Sequence, residues 1–83
     1  MDQETYRLLR AGAHNGQVEA HLMKDLNWSW PDATIRAQEC DHLLFSYRNQ
    51  RMAAPSPAQQ NTYLDAYMTA YGAERAAIIE GSA

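Results

Sequence analysis

The chain has 83 residues, a formal net charge of −3 and one cysteine. The acidic balance argues against a protein that coats nucleic acid, and a single cysteine excludes a secreted scaffold held by intrachain disulfides. Leu, Ile, Val and Phe together supply only 12 residues. Such a chain builds a thin core, so we expect a partner chain to contribute to its stability.

Neither a leader nor a membrane segment is predicted. Residues 1–4 lack the basic and apolar regions of a signal peptide. The longest run of large apolar residues is Leu43-Leu44-Phe45, which is far too short to span a bilayer. We therefore expect a cytoplasmic protein without a membrane partner.

The composition predicts an all-α protein, because helix-forming residues are abundant and β-branched residues are scarce. We expect a single helical domain over residues 1–83, folded as a small bundle of three to four helices that a homodimer could complete. The helices are predicted near residues 3–14, 17–27, 31–52 and 57–80, with a linker over residues 53–56.

The first helix is predicted to begin after Asp2, whose side chain is a suitable N-cap. Asn15-Gly16 is a turn signal and predicts a break before the second helix. The alternative is one continuous helix, on which Gly12, Gly16 and Ala20 recur every four residues and form a groove of small residues.

The third helix is predicted to start at a capping box formed by Ser29 and Asp32. Its predicted core face follows spacings of four and three residues: Ala33, Ala37, Cys40, Leu44, Tyr47 and Arg51. Ile35 and Phe45 fall off this stripe, and Trp30 precedes it. In a monomer Ile35 and Phe45 would leave an apolar patch, which usually marks a contact with a partner.

The fourth helix is predicted to start at a second capping box, Ser56-Pro57-Ala58-Gln59, and Gly72 allows a break within it. Four alanines form a heptad stripe along one side: Ala66, Ala70, Ala73 and Ala77. Small residues let another helix approach closely, so we predict a homodimer interface there. The alternative is that these alanines are simply exposed helix formers.

Three tyrosines, Tyr63, Tyr67 and Tyr71, recur every four residues in the same helix. Such a ladder drifts by about 40° per step, so we expect it to be too wide for burial on one core stripe. Tyrosine is enriched in binding hot spots, which makes Tyr63 and Tyr67 candidate contact residues. The alternative is a core edge with the phenol oxygens at the surface.

No metal, cofactor or catalytic site is predicted. The available metal ligands are His14, His21, Cys40 and His42, and their spacing matches no zinc motif. The sequence has neither a Gly-x-Ser-x-Gly motif nor a glycine-rich phosphate loop. We therefore expect a protein that is not an enzyme and that uses neither a metal nor a small-molecule cofactor.

These exclusions favour a small acidic protein that binds another protein and regulates or inhibits it. Phage-encoded inhibitors of host defence, including anti-CRISPR proteins, are a class that such a chain would suit. The predicted contact residues are Trp30, Ile35, Phe45, Tyr63 and Tyr67.

The alternative is a helix-turn-helix regulator that places the third predicted helix in the major groove of DNA. Residues 1–42 carry seven acidic residues against four basic ones. Affinity for the DNA backbone needs the opposite sign of charge, so nucleic acid is the less favoured partner.

Overall fold

The computed structural model describes residues 1–23 and 31–82. This part of the chain forms three helices, α1 (Gln3–Leu22), α2 (Asp32–Asn49) and α3 (Pro57–Ser82), and contains no strand. The all-α prediction is confirmed, and the helices pack as a small bundle. None of the described helices combines the length and the apolarity that crossing a bilayer requires.

Helix α1 is capped as the sequence predicts, since the Asp2 Oδ1 accepts a hydrogen bond of 2.7 Å from the Thr5 backbone N–H. The helix then continues through Asn15 and Gly16 to Leu22. The predicted break at this turn signal is therefore wrong, and the continuous alternative is right. The remainder of the second predicted helix, residues 24–27, lies outside the described residues.

The continuity of α1 is explained by its contact with α3. Both Gly12 and Gly16 are buried, and a Cβ at either position would overlap a backbone carbonyl oxygen of α3, that of Tyr63 or that of Tyr67 respectively. The missing side chains thus let the two backbones meet directly. This packing offsets the helix propensity that glycine lacks, a factor that a turn signal in the sequence does not include.

Helices α1 and α3 run parallel, with α2 antiparallel to both. The α1–α3 direction follows from two contacts. Gly12 in the middle of α1 faces Tyr63 in the first half of α3, and His21 at the end of α1 forms an ion pair of 2.8 Å with Glu74 in the second half of α3. On α2, the guanidinium of Arg36 meets the Asp65 carboxylate at 2.8 Å. Later residues of α2 contact earlier residues of α3.

The buried face of α2 differs from the predicted stripe. Ile35, Leu43 and Tyr47 are buried, whereas Ala33 and Ala37 are exposed. Spacings of four residues connect Ile35 to Leu43 and Tyr47 through a charged residue, Glu39. Because that carboxylate interrupts the apolar pattern, the sequence alone did not indicate this buried stripe.

Helix α2 ends in a Schellman cap without glycine. The Met52 N–H donates to the Tyr47 carbonyl at 2.9 Å, and the Arg51 N–H donates to the Arg48 carbonyl at 3.0 Å. Arg51 occupies the left-handed position, with φ 57°, where glycine is usual. Ser29, the predicted N-cap of this helix, lies outside the described residues.

Helix α3 begins with the predicted capping box. The Gln59 N–H donates to the Ser56 Oγ at 3.2 Å, and the Ser56 N–H donates to the Gln59 Oε1 at 3.1 Å. The helix is continuous through Gly72. Its buried side chains join two core clusters, one with Leu8, Leu43, Tyr47, Tyr63 and Leu64, and the other with Ala20, Met23, Ile35, Tyr67 and Tyr71.

Candidate functional site

A cleft runs between α1 and α2, and tyrosines of α3 form its floor. It has two adjacent parts that share Glu39 and His42 in their walls. The part over Tyr63, here the Tyr63 pocket, has a volume of about 290 Å³. The part over Tyr67, here the Tyr67 pocket, has a volume of about 240 Å³.

A polar cluster between α1 and α2 borders the Tyr63 pocket, which Arg7 and Tyr47 line. The Arg7 guanidinium donates to both oxygens of Glu4, at 2.6 and 3.1 Å. The Tyr47 hydroxyl donates to Glu4 Oε1 at 2.5 Å and accepts from Arg7 at 3.1 Å. These hydrogen bonds lower the pKa of Glu4. Burial raises the pKa of Tyr47, and the bond to Glu4 raises it further.

In the middle of the cleft, the Tyr63 hydroxyl joins all three helices. It accepts a hydrogen bond of 2.9 Å from Asn15 Nδ2 of α1 and donates one of 2.5 Å to Glu39 Oε1 of α2. Burial raises the pKa of Tyr63 well above its usual value, and the hydrogen bond to Glu39 adds to that effect. The Glu39 side chain is only 15% exposed, and the Tyr63 hydroxyl satisfies one of its oxygens.

The Tyr67 hydroxyl has a different environment. Tyr67 is 3% exposed, its ring stacks between those of Tyr63 and Tyr71, and its hydroxyl forms no hydrogen bond with any described residue. Burial raises the pKa of Tyr67, and so do the negative charges of Glu39 and Glu19. The hydroxyl therefore lies near two carboxylates without a hydrogen-bonding partner.

A second surface feature lies on the solvent side of α2. Phe45 is 54% exposed, and the Arg48 guanidinium carbon lies 5.5 Å from the centre of its ring, within the range of a cation–π contact. Both residues border a shallow depression that Asp41 and Leu44 also line. We call this surface the Phe45 patch.

The structure separates the five predicted contact residues. Phe45 is exposed, as the sequence analysis expected. Ile35, Tyr63 and Tyr67 are buried in the core, so the expectation that they lie off the core is wrong. The three stacked tyrosines are only 3–4% exposed because α1 and α2 flank α3 on two sides, so a ladder that drifts around the helix is still covered. Trp30 lies outside the described residues.

The alanine stripe of α3 is divided between two environments. Ala66 is half-buried beside α1 of the same chain, where its Cβ would lie 3.3 Å from a Cβ at Gly12. Ala70 is also half-buried, whereas Ala73 and Ala77 are exposed.

The side chains considered as metal ligands are dispersed. His21 pairs with Glu74, His42 lies 3.5 Å from Glu39, and the Cys40 thiol lies 3.8 Å from the Gln60 side-chain oxygen. No group of three or more His, Cys, Asp or Glu residues suited to a metal ion occurs in residues 1–23 and 31–82.

Sequence analysis missed the two carboxylates of the cleft, Glu19 and Glu39. For Glu39 the available signal was its place four residues from both Ile35 and Leu43, inside an apolar stripe. For Glu19 the signal was the continuous form of α1, on which it follows Asn15 by four residues. No family model, curated protein or solved structure matches this chain.

Proposed function

We propose that this protein acts by binding another protein through the Phe45 patch. The observation that carries the proposal is the half-exposed ring of Phe45 with the Arg48 guanidinium over it. Large aromatic residues and arginine are prominent in protein–protein interfaces. Covering an aromatic ring that a helix holds in the solvent removes a large apolar area from water, and this stabilises a complex.

The patch is preorganised by the opposite face of its helix. Leu43 and Tyr47 are buried on either side of Phe45 in sequence, which fixes the rotation of α2. Because the backbone is held before binding, a partner that covers the ring loses less conformational freedom on association. Asp41 and Arg48 give the patch one charge of each sign at its border, which favours a specific orientation of the partner.

The proposed role is regulatory or inhibitory, in the cytoplasm. A chain of 83 residues with a net charge of −3 suits proteins that act by occupying a surface, and phage-encoded inhibitors of host defence of the anti-CRISPR type are such proteins. Antiparallel packing of α1 and α2 favours this proposal over a helix-turn-helix, whose two helices cross at about 90–120°. In this chain, Glu4 and Tyr47 meet near one end of the helix pair, and Met23 and Ile35 share a core cluster near the other.

The test is affinity capture from the native host by the wild-type chain, by Phe45→Ala and by Arg48→Ala, each with and without nuclease treatment. We expect a bound protein that survives nuclease and that Phe45→Ala loses by about tenfold or more. The control is Ile79→Ala, which truncates an exposed apolar side chain on a different helix, α3, and should retain the partner. Nuclease-sensitive capture that depends on Arg48 and not on Phe45 would instead support DNA binding.

We also propose that the chain forms a homodimer through the exposed part of the alanine stripe, Ala73 and Ala77. Sedimentation equilibrium should give a mass above 9.4 kDa at micromolar concentration. Ala77→Glu should shift the equilibrium towards the monomer because it places a charge where two helices must touch. The control, Ala76→Glu, adds the same charge to a different exposed side of α3, and a wild-type monomer would refute the proposal.

A further inference from the structure

The Tyr67 pocket is not used by the proposed contact surface, and its walls have a distinctive charge. Glu19 from α1 and Glu39 from α2 line it, and Tyr67 forms its floor. Among the described residues no lysine or arginine lines this pocket, and His42, with a largely exposed side chain, is the one basic group that faces it. The pocket is therefore negatively charged.

The second observation is the hydroxyl of Tyr67, which is accessible from the pocket. Tyr67 is only 3% exposed, yet its hydroxyl forms no hydrogen bond with the described residues. No buried side-chain nitrogen or oxygen of the described residues lacks a hydrogen bond, so the unpartnered Tyr67 hydroxyl is accessible from the pocket that Tyr67 lines. The hydroxyl can accept a hydrogen bond as well as donate one.

The carboxylates around this hydroxyl retain free acceptor capacity. Tyr63 occupies Glu39 Oε1, whereas Glu39 Oε2 has only His42 Nδ1 at 3.5 Å. Glu19 has neither an ion pair nor a hydrogen bond from its side chain to a described residue. Three acceptors, one each from Glu19, Glu39 and Tyr67, thus match the three N–H donors of a primary ammonium group.

Apart from the exposed Gln38, the remaining wall is apolar. Ile35 and Met23 line the same pocket, and both are buried core residues. An anion would be repelled by the carboxylates, and a bare cation would leave this wall uncovered. An alkyl chain that ends in an ammonium group satisfies both walls, because its methylenes cover the apolar side and its charge meets the carboxylates.

We propose that the Tyr67 pocket binds a primary alkylammonium group, held by Glu19, Glu39 and the Tyr67 hydroxyl. The group has two natural sources, a free alkylamine or diamine and the lysine side chain of a bound protein. Both present the same chemistry at the pocket. This inference does not depend on the Phe45 patch, so either proposal can fail while the other stands.

The first measurement is a titration of the ¹⁵N-labelled protein with n-butylammonium, followed by amide chemical shifts. We expect saturable shifts at residues lining the pocket, including Ile35 and Tyr67. The uncharged isostere n-butanol should bind about tenfold more weakly, because it lacks the charge-assisted hydrogen bonds. Equal binding of the two compounds, or no saturable shift, would overturn the proposal.

Two further probes distinguish the sources. Lysine blocked at its α-amino and carboxyl groups represents a partner side chain, and 1,4-diaminobutane represents a free amine. Tighter binding of the blocked lysine assigns the pocket to a partner protein, and tighter binding of the diamine assigns it to a free ligand. If neither probe binds at the pocket, the proposal is wrong.

Variants locate the binding. Glu19→Gln removes one charge at a site outside the core clusters, so the fold should persist, and we expect affinity for n-butylammonium to fall about tenfold. Glu80→Gln makes the same change at an exposed residue of α3 outside this pocket and should leave the affinity unchanged. If Glu19→Gln binds n-butylammonium as tightly as the wild type does, the assignment is wrong.

Discussion

At the scale of single residues, the Tyr63 side chain links α3 to both other helices. Its ring belongs to a core cluster of α3, and its hydroxyl accepts from Asn15 on α1 and donates to Glu39 on α2. Burying a carboxylate is costly unless hydrogen bonds satisfy it. The Tyr63 hydroxyl supplies such a bond, which explains how Glu39 lies on the buried face of α2.

Removal of this hydroxyl should therefore destabilise the fold. In Tyr63→Phe the ring stays but Glu39 and Asn15 lose their partner, and we expect a loss of about 1–3 kcal/mol in the free energy of unfolding. Urea denaturation measures it. The control is Tyr6→Phe, since Tyr6 is exposed and its hydroxyl has only a 3.4 Å contact with Arg10. Equal stability of the two variants would contradict the role assigned to Tyr63.

Arg51 is a second residue whose conformation predicts a measurable effect. Its φ of 57° is unfavourable for a residue with a Cβ, by about 1–2 kcal/mol, whereas glycine adopts it freely. Glycine also loses more conformational entropy on folding, which offsets part of this gain. Arg51→Gly should therefore stabilise the protein by about 0.5–1 kcal/mol. Arg51→Ala removes the same charge but keeps the Cβ, and its melting temperature should stay near that of the wild type. A similar gain in both variants would show that the charge, and not the backbone, is responsible.

At the scale of helices, local sequence signals predicted the structure correctly where contacts with other helices do not determine it. The caps at Asp2 and Ser56 depend on residues within one turn, and both were predicted. The break at Gly16 was wrong because the glycine is used by α3, which lies far away in the chain. Ile35 was placed on the wrong side of α2 for a similar reason, since Glu39 is acceptable on the buried face only when Tyr63 meets it.

Substitution of glycine by alanine should change stability in opposite directions in α1 and α3. Alanine favours a helix over glycine by about 1 kcal/mol. At Gly72 a Cβ meets nothing within 4 Å, so Gly72→Ala should stabilise the protein by about that amount. At Gly16 the Cβ would overlap the Tyr67 carbonyl oxygen, and forcing α1 and α3 apart should cost about 1–3 kcal/mol. Thermal unfolding of the two variants should shift in opposite directions, and a rise in both would refute direct backbone packing.

At the scale of the whole molecule, the cleft follows from unequal packing of the helices. Glycine and alanine bring α1 and α3 together, while the tyrosines of α3 stand between α1 and α2 and keep them apart. Sequence analysis identified the ladder of Tyr63, Tyr67 and Tyr71 but not the cleft above it. That cleft depends on α2 lying antiparallel to α1, and no pattern within one helix carries this information.

The buried tyrosines also determine how stability depends on alkaline pH. Burial raises the folded-state pKa of Tyr63 and Tyr67 above the ordinary value of 10.0. Their contribution is therefore complete below pH 10 and is lost as the pH rises towards the folded-state pKa, because the unfolded chain releases these protons first. Each tyrosine should lower the free energy of unfolding by up to about 1.4 kcal/mol per pH unit.

Urea denaturation between pH 8 and about pH 11 measures the slope, with tyrosinate absorbance as a second readout. Tyr67→Phe should make the slope shallower, whereas a flat profile in the wild type would mean that the phenols are not desolvated.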